Sequence, residues 1–376
     1  MSMAELQQLN VCLQGEYDDS YPLFIGENLF QDIVDHLRTE PIAARYAIIT
    51  DSNVMPLYGN MLLDLMRSAD IKTDMFVFAA GEKSKSIDTC MKLMGEMSKQ
   101  KFGRDSAILA LGGGVTGDMA GFMAAIFNRG IPYIQIPTTV IAQADSSIGG
   151  KTAINTEYGK NLVGAFKQPE VVYIDISTLA TLPDRDYISG LAETIKHGII
   201  FNSDFFGYLR EDNQGIIERN PESLKWIARN NCLIKGMVVE QDPNEKGLRR
   251  ILNYGHTTGH AIEKLSGFEL LHGEAVSIGM MVAGRISNEL GYFPQESLDA
   301  QLQILIDYNL PVNIPENISN EDIIRLTMTD KKAMNGMARY ALPNKIGRMM
   351  VFDKQFATYV EADVVRKALD ATRKLN

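Results

Sequence analysis

Long apolar runs are missing. Nothing in the sequence approaches the ~18 consecutive apolar residues of a membrane-spanning helix, so no membrane partner is expected. Basic tracts are missing as well. With 37 Lys+Arg against 47 Asp+Glu, the formal net charge is −10. That argues against nucleic acid as a partner, yet local lysines and arginines can still hold a small anionic substrate. Cysteine is scarce: Cys12, Cys90 and Cys232 are far apart, and none forms a C-x-x-C pair. This excludes a disulfide framework and fits reduced thiols in a cytoplasmic protein. The opening stretch MSMAELQQLNVCLQGEYDD lacks the basic and apolar regions of a secretory signal, which supports the same expectation.

What is present divides the 376 residues in two. Short apolar runs rich in β-branched and aromatic residues (RYAIITDS, TDMFVFAA, SAILALGGG, PYIQIPTT, VVYIDIS) alternate with helically spaced segments (NVMPLYGNMLLDLMRSA, SIDTCMKLMGEMSKQ). Strand–helix alternation predicts an α/β domain with a parallel, Rossmann-like sheet over residues 1–177. From 178 to 376 helical patterns dominate, at 187–200, 221–239, 249–265, 273–290 and 297–308, with a lone hairpin in GMARYALPNKIGRMMVF. The second half is therefore expected to be mainly α-helical.

Three features carry chemistry. AILALGGGVTGDMAGF runs from a strand through Gly112, Gly113 and Gly114 into a helix. Backbone N–H groups at such a turn favour a phosphate, although the pattern is not G-x-G-x-x-G. The loops DSNV (51–54) and GEKSK (81–85) also follow strands, where open α/β sheets bind ligands. The stretch from Pro137 to Pro169 reads as a long polar loop, with Asp145, Lys151, Lys160 and Asn161 suited to a small anionic, hydroxyl-bearing molecule. Finally, three of the five histidines, His256, His260 and His272, fall in ILNYGHTTGHAIEKLSGFELLHGEA.

His256 and His260 are spaced i, i+4 on one helix face, and His272 opens the next helix. With a carboxylate from Glu193 or Glu274 they form a candidate divalent-metal set with a position left for substrate. Thr257 stands where H-E-x-x-H places its glutamate, which argues against a metalloprotease. Lys196, Lys235, Arg249 and Arg250 lie near this cluster in sequence. A metal, a dinucleotide and several cations together suggest alcohol chemistry on a phosphorylated or carboxylated sugar-like substrate.

Eight ordered motifs (GGGVTGDMAGF, RGIPYIQIPTT, DSSIGGKTAIN, GKNLVGAF, AETIKHG, RRILNYGHTTGHAIE, HGEAVSIGM and DKKAMNGMARYALP) make the sequence resemble the 3-dehydroquinate synthases, of the sugar phosphate cyclase superfamily, from about Tyr21 to Leu369. The resemblance implies a dehydroquinate synthase-like fold. It implies Glu193, His256 and His272 as ligands of zinc, with cobalt an alternative, and moves His260 from the metal to the substrate side. It implies an NAD site on Asp51, Asn53, Glu82, Lys85, Gly113, Gly114, Asp118, Thr138 and Thr139, with Lys151 and Lys160 beside it. Substrate and catalysis fall to Asp145, Lys151, Asn161, Lys196, Lys235, Arg249, Asn253 and His260. Arg129 resembles an arginine that dimers of the family offer across to the neighbouring subunit, so a homodimer is expected. Arg339 stands where some members carry a phosphate-side lysine.

The implied reaction converts 3-deoxy-D-arabino-heptulosonate 7-phosphate to 3-dehydroquinate and phosphate, a step toward chorismate. It proceeds by transient oxidation, phosphate elimination, reduction, ring opening and aldol closure. The alternatives are another sugar phosphate cyclase, an NAD-linked polyol dehydrogenase, and a non-catalytic NAD-binding protein.

Overall fold

A computed structural model describes residues 18–328 and 337–373. Most of the amino-terminal stretch read for a signal, Cys12, and the front of the DKKAMNGMARYALP motif lie outside the described residues.

The first half builds one parallel six-stranded sheet. In chain order it runs β1 (Leu23–Gly26), α1 (Phe30–Thr39), β2 (Arg45–Asp51), α2 (Asn60–Ser68), β3 (Thr73–Phe78), α3 (Ile87–Lys99), β4 (Ser106–Gly112), α4 (Gly114–Ile126) and β5 (Tyr133–Pro137). A hairpin of β6 (Lys151–Thr156) and β7 (Gly159–Phe166) follows, then β8 (Val171–Asp175). The strand order is β1-β8-β5-β4-β2-β3, every adjacent pair parallel. Every residue of β4, β5 and β8 is buried, because helices cover both faces. That double burial is why these strands read as predominantly apolar runs, interrupted by Gln135 in β5 and ended by Asp175 in β8. The order reverses direction between β2 and β4, so a crevice opens at the carboxyl ends of those strands.

The polar stretch after Pro137 is not the loop its composition suggests. It forms an irregular helical turn, Ala142–Ser146, and then the antiparallel β6–β7 hairpin against α4. Thr152 and Ile154 are buried at alternate positions while Lys151 is exposed, a period-two pattern hidden among polar residues. Gly164 permits the pairing: a Cβ there would sit 2.1 Å from the Thr152 carbonyl oxygen.

The second half is mainly helical, as expected: α5 (Asp184–Phe201), α6 (Ser203–Glu211), α7 (Asn213–Ile217), α8 (Pro221–Gln241), α9 (His256–Leu265), α10 (His272–Glu289), α11 (Gln295–Asp307), α12 (Asn320–Met328) and α13 (Ala362–Thr372). The single helix read over 249–265 is broken. A 3-10 turn, Leu248–Asn253, ends before Gly255, whose φ of +79° is left-handed, and α9 starts at His256. A Cβ on Gly255 would meet Met280 Cγ at 2.6 Å, so α10 packs where a side chain would stand. The expected lone hairpin is also revised. Pro343–Lys345 pairs with Arg348–Met349, but Ala338–Tyr340 pairs with the later strand Thr358–Val360.

One apolar core joins the halves. Val172 and Ile174 of β8 share it with Leu191 and Ile195 of α5, Ile234 of α8 and Met280 of α10. Among the described residues no helix is long and apolar enough to cross a membrane.

Candidate functional site

The carboxyl ends of β2 to β5 supply the first wall of the site. Asp51 ends β2, and its Oδ1 accepts the backbone N–H groups of Asn53 (2.8 Å) and Val54 (3.1 Å), fixing that turn. Gly113 and Gly114 lead from β4 into α4, where Cβ atoms would lie 3.0 Å from Thr139 Cγ2 and 3.2 Å from Ser146 Oγ. Glycine thus lets the start of α4 settle against Thr138 and Thr139, with its first N–H groups outside the helix ladder.

The hairpin closes over this wall. Lys85 is 5% exposed, and its ammonium donates to Asp118 Oδ2 at 2.5 Å and Asn161 Oδ1 at 2.6 Å. Burial pushes the Asp118 carboxyl up, and Lys85 opposes that. Asn155 ties the same region together. Its Nδ2 donates to Glu82 Oε1 at 2.7 Å, and its Oδ1 accepts from the Asn161 backbone at 3.0 Å. Sequence reasoning missed Asn155, which sits in the polar stretch with nothing to distinguish it.

The opposite wall is helical. Glu193 and Lys196, one turn apart on α5, have fully buried side chains and are in ion-pair contact. Lys235 of α8 pairs with Asp145 of the irregular turn. Burial alone would raise both carboxyl groups. For Asp145 the ammoniums of Lys235 and Lys196 outweigh it, and for Glu193 Lys196, His256 and His272 do, so both are held well below the usual range. The buried Lys235 ammonium is pushed down by desolvation.

His256, His260 and His272 each present a ring nitrogen within 4.8 Å of the others. Glu193 Oε1 lies 3.4 Å from both His256 Nε2 and His272 Nε2. Both Glu193 oxygens are buried without a hydrogen bond, although Lys196 is in ion-pair contact with Oε2. A carboxylate with unfilled acceptors facing two imidazole nitrogens suits a divalent cation. His256 Nδ1 lies 3.0 Å from the Tyr254 carbonyl oxygen, which accepts a hydrogen bond from Nδ1–H and leaves Nε2 with its lone pair free for a cation. His272 sits between two carboxylates. Burial disfavours its charge, but Glu193 and Glu263 outweigh that and lift it to about 9. Glu274, the other carboxylate considered from the sequence, is spent elsewhere: it receives Arg185 at 2.7 Å on each oxygen and caps the Leu271 N–H at 2.8 Å.

Arg249 is 1% exposed; it donates to the Pro243 carbonyl at 2.6 Å and the Gly149 carbonyl at 2.9 Å, and its Nε has no partner. Glu245 joins two expected substrate residues, pairing with Lys151 and accepting from Asn253 Nδ2 at 2.6 Å. Neither Glu245 nor Glu263 was found by sequence reasoning, because single glutamates read as solvated surface charges.

Arg129 is not brought into this group. It is exposed at the far end of α4, ~20 Å along the helix axis from the glycine turn. Arg339, on the strand Ala338–Tyr340, donates to the Ala357 carbonyl and to Gln355 Oε1, which also accepts from Arg250.

Comparison with known proteins shows the family and fold. The family model for the 3-dehydroquinate synthase N-terminal region matches residues 75–189, and that for the C-terminal region matches 190–333. A 3-dehydroquinate synthase of Symbiobacterium thermophilum is 40% identical over 359 residues, 95% of this chain and 99% of its own. One of Desulforamulus reducens is 41% identical over 334 residues, 89% of this chain and 93% of its own. Among solved structures, a 2-deoxy-scyllo-inosose synthase complexed with carbaglucose-6-phosphate, NAD+ and Co2+ superposes with a TM-score of 0.86 at 26% identity, over 92% of this chain and 95% of that one. The 2-epi-5-epi-valiolone synthase of Streptomyces hygroscopicus with NAD+ and Zn2+ also gives 0.86 at 26% identity, over 97% and 99%.

Proposed function

Because this chain belongs to the 3-dehydroquinate synthase family, we propose that it converts 3-deoxy-D-arabino-heptulosonate 7-phosphate to 3-dehydroquinate and phosphate at the site described above. The observation that carries this reading is the convergence of Glu193, His256 and His272 with Lys196, Lys235 and Arg249, opposite the glycine turn of the sheet.

When bound, NAD supplies a hydride acceptor and donor, and a divalent metal supplies Lewis-acid polarisation of an oxygen. Asp51, Asn53, Glu82, Lys85, Gly113, Gly114, Asp118, Thr138 and Thr139 hold the cofactor, flanked by Lys151 and Lys160. Glu193, His256 and His272 hold zinc or cobalt. His260, exposed beside them, faces the substrate.

The remaining residues bind and orient. Lys151, Lys235, Arg249 and Asn253 offer donors already directed by Glu245, Asp145 and Gly149. Directed donors of this kind take up the phosphate and carboxylate of one substrate without large rearrangement. Asp145 stays ionised beside Lys235 and Lys196, so it accepts a hydrogen bond from a substrate hydroxyl. Asn161 and Lys196 complete the enclosure, and the full burial of Lys196 excludes water there.

The described residues up to 177 carry the NAD site together with Asp145, Lys151 and Asn161 of the substrate site, and those from 178 carry the metal ligands and the remaining substrate residues. The chain acts in the cytoplasm on the route to chorismate and aromatic amino acids, as a homodimer in which Arg129 completes the neighbouring site. Another cyclase reaction is disfavoured, since relatives near 40% identity carry the 3-dehydroquinate synthase name whereas the cyclases of other products stand at 26%.

The test uses NAD far below the heptulosonate phosphate concentration. Many phosphates released per NAD, with 3-dehydroquinate identified and no accumulating NADH, is the expected outcome. One NADH formed per substrate consumed would make the protein a net dehydrogenase and end this reading.

A further inference from the structure

Lys160 and Glu263 come from opposite halves of the chain and meet between them. Lys160 lies on β7 and Glu263 on α9, and Lys160 Nζ is 2.9 Å from Glu263 Oε1. The Glu263 side chain is only 7% exposed. Its other oxygen, Oε2, lies 3.7 Å from His272 Nδ1, while His272 Nε2 faces Glu193. The same Lys160 ammonium is 3.8 Å from Glu82 Oε1, in the loop after β3, and sits 4.7 Å above the Phe268 ring. A continuous line of charged groups therefore runs from the loop after β3, through the hairpin, to the histidine cluster.

An ordinary interdomain ion pair would use one carboxylate oxygen and leave the second to water. Here the second oxygen is buried and directed at a ring nitrogen. We propose that Glu263 is a positioning residue for His272, and that the Lys160–Glu263 pair couples the cofactor-binding hairpin to the metal centre. The proposal rests on His272 being a metal ligand. An imidazole that ligates through Nε2 must carry its proton on Nδ1. A carboxylate 3.7 Å away on the Nδ1 side favours that tautomer electrostatically and raises ligand basicity. Lys160 in turn holds Glu263. The hairpin that carries Lys160 is stapled to the sheet by Lys85, Asn155 and Asn161. A cofactor held between hairpin and sheet keeps Lys160 on Glu263, and Glu263 on His272. Coupling of this kind is reciprocal, so NAD and metal raise each other's affinity by the same factor.

The experiment titrates Co2+ into the chelator-treated full chain, with and without NAD, for wild type, Glu263→Gln, Lys160→Met and His272→Ala. Wild type should bind Co2+ roughly fivefold or more tightly with NAD. Glu263→Gln should bind Co2+ about tenfold more weakly even without NAD, as loss of an outer partner of a ligand does. Measured at NAD concentrations that saturate each variant, Lys160→Met should keep its Co2+ affinity without NAD but lose the NAD-dependent gain. Unchanged affinity in a folded Glu263→Gln, or an intact NAD gain in Lys160→Met, overturns the proposal. Should Glu263→Gln fail to fold, the Lys160→Met comparison decides alone. Full Co2+ stoichiometry in His272→Ala would instead overturn the metal reading itself, so the two failures are told apart.

Discussion

Arg249 is the largest fully buried side chain of the described residues, and backbone carbonyls rather than a carboxylate receive it. A charge so placed has lost its hydration, and although Glu245 and Asp145 favour it, its hydrogen bonds go to neutral carbonyls, which suits it to an incoming anion. Arg249→Ala should cost the substrate roughly 1.5–3 kcal/mol of binding, about ten- to a hundredfold in kcat/KM. NAD affinity should stay near wild type, measured by fluorescence titration; an equal loss of NAD binding would assign Arg249 to structure instead. His197 offers a second test. It is fully buried, its Nδ1 is 2.9 Å from Asn231 Oδ1, and burial with Lys196 depresses its pKa from 6.5 to about 4. The unfolded chain takes up that proton below pH 6.5 and the folded chain only near 4, so stability is full above 6.5 and falls as pH drops toward 4. Replacing His197 with Gln should flatten the slope of denaturation free energy across that window. An unchanged slope would show that other groups set it. The histidine cluster itself was legible because three of five histidines share one short segment. The carboxylates that hold its neighbours, Glu245 and Glu263, were not, because their roles depend on chain segments far away in sequence.

At the scale of elements, legibility followed burial. β4, β5 and β8 announce themselves because both faces are covered and nearly every residue is apolar or small, Gln135 and the terminal Asp175 being the exceptions. The β6–β7 hairpin did not, because one side faces a polar site and its alternation is diluted by Lys151, Asn155 and Lys160. The Gly255 break was also invisible, since it is imposed by α10 packing against that residue. The hairpin makes a sharp prediction. Gly164→Ala places a methyl 2.1 Å from the Thr152 carbonyl, an overpacking that costs roughly 1–3 kcal/mol. It should raise the KM for NAD and speed proteolysis within 151–166. Gly159→Ala, whose added Cβ meets nothing closer than 3.4 Å, should change neither. Equal behaviour of the two variants would mean that the hairpin does not shape the cofactor site.

At the scale of the whole molecule, the proposed homodimer gives Arg129, which is exposed away from its own site, a role in the neighbouring one. Mixed dimers of an Arg129→Ala chain with a His272→Ala chain should recover activity, since one of the two sites then has intact metal ligands and an intact arginine from across the interface. No recovery in purified heterodimers would place the arginine outside catalysis. The homodimer expectation rests on family resemblance alone, because nothing in the order of residues says which exposed side chains meet a neighbour. The apolar core shared by β8, α5, α8 and α10 carries a different consequence. Its residues belong to both halves, so neither half can melt while the other keeps its packing. Heat should therefore take the described body apart in one cooperative step, with calorimetric and van't Hoff enthalpies in agreement. Two resolved heat-capacity peaks would show separate foldons. The seam between cofactor half and metal half is then a division of chemical labour within a single thermodynamic unit, and the halves expressed apart should remain molten.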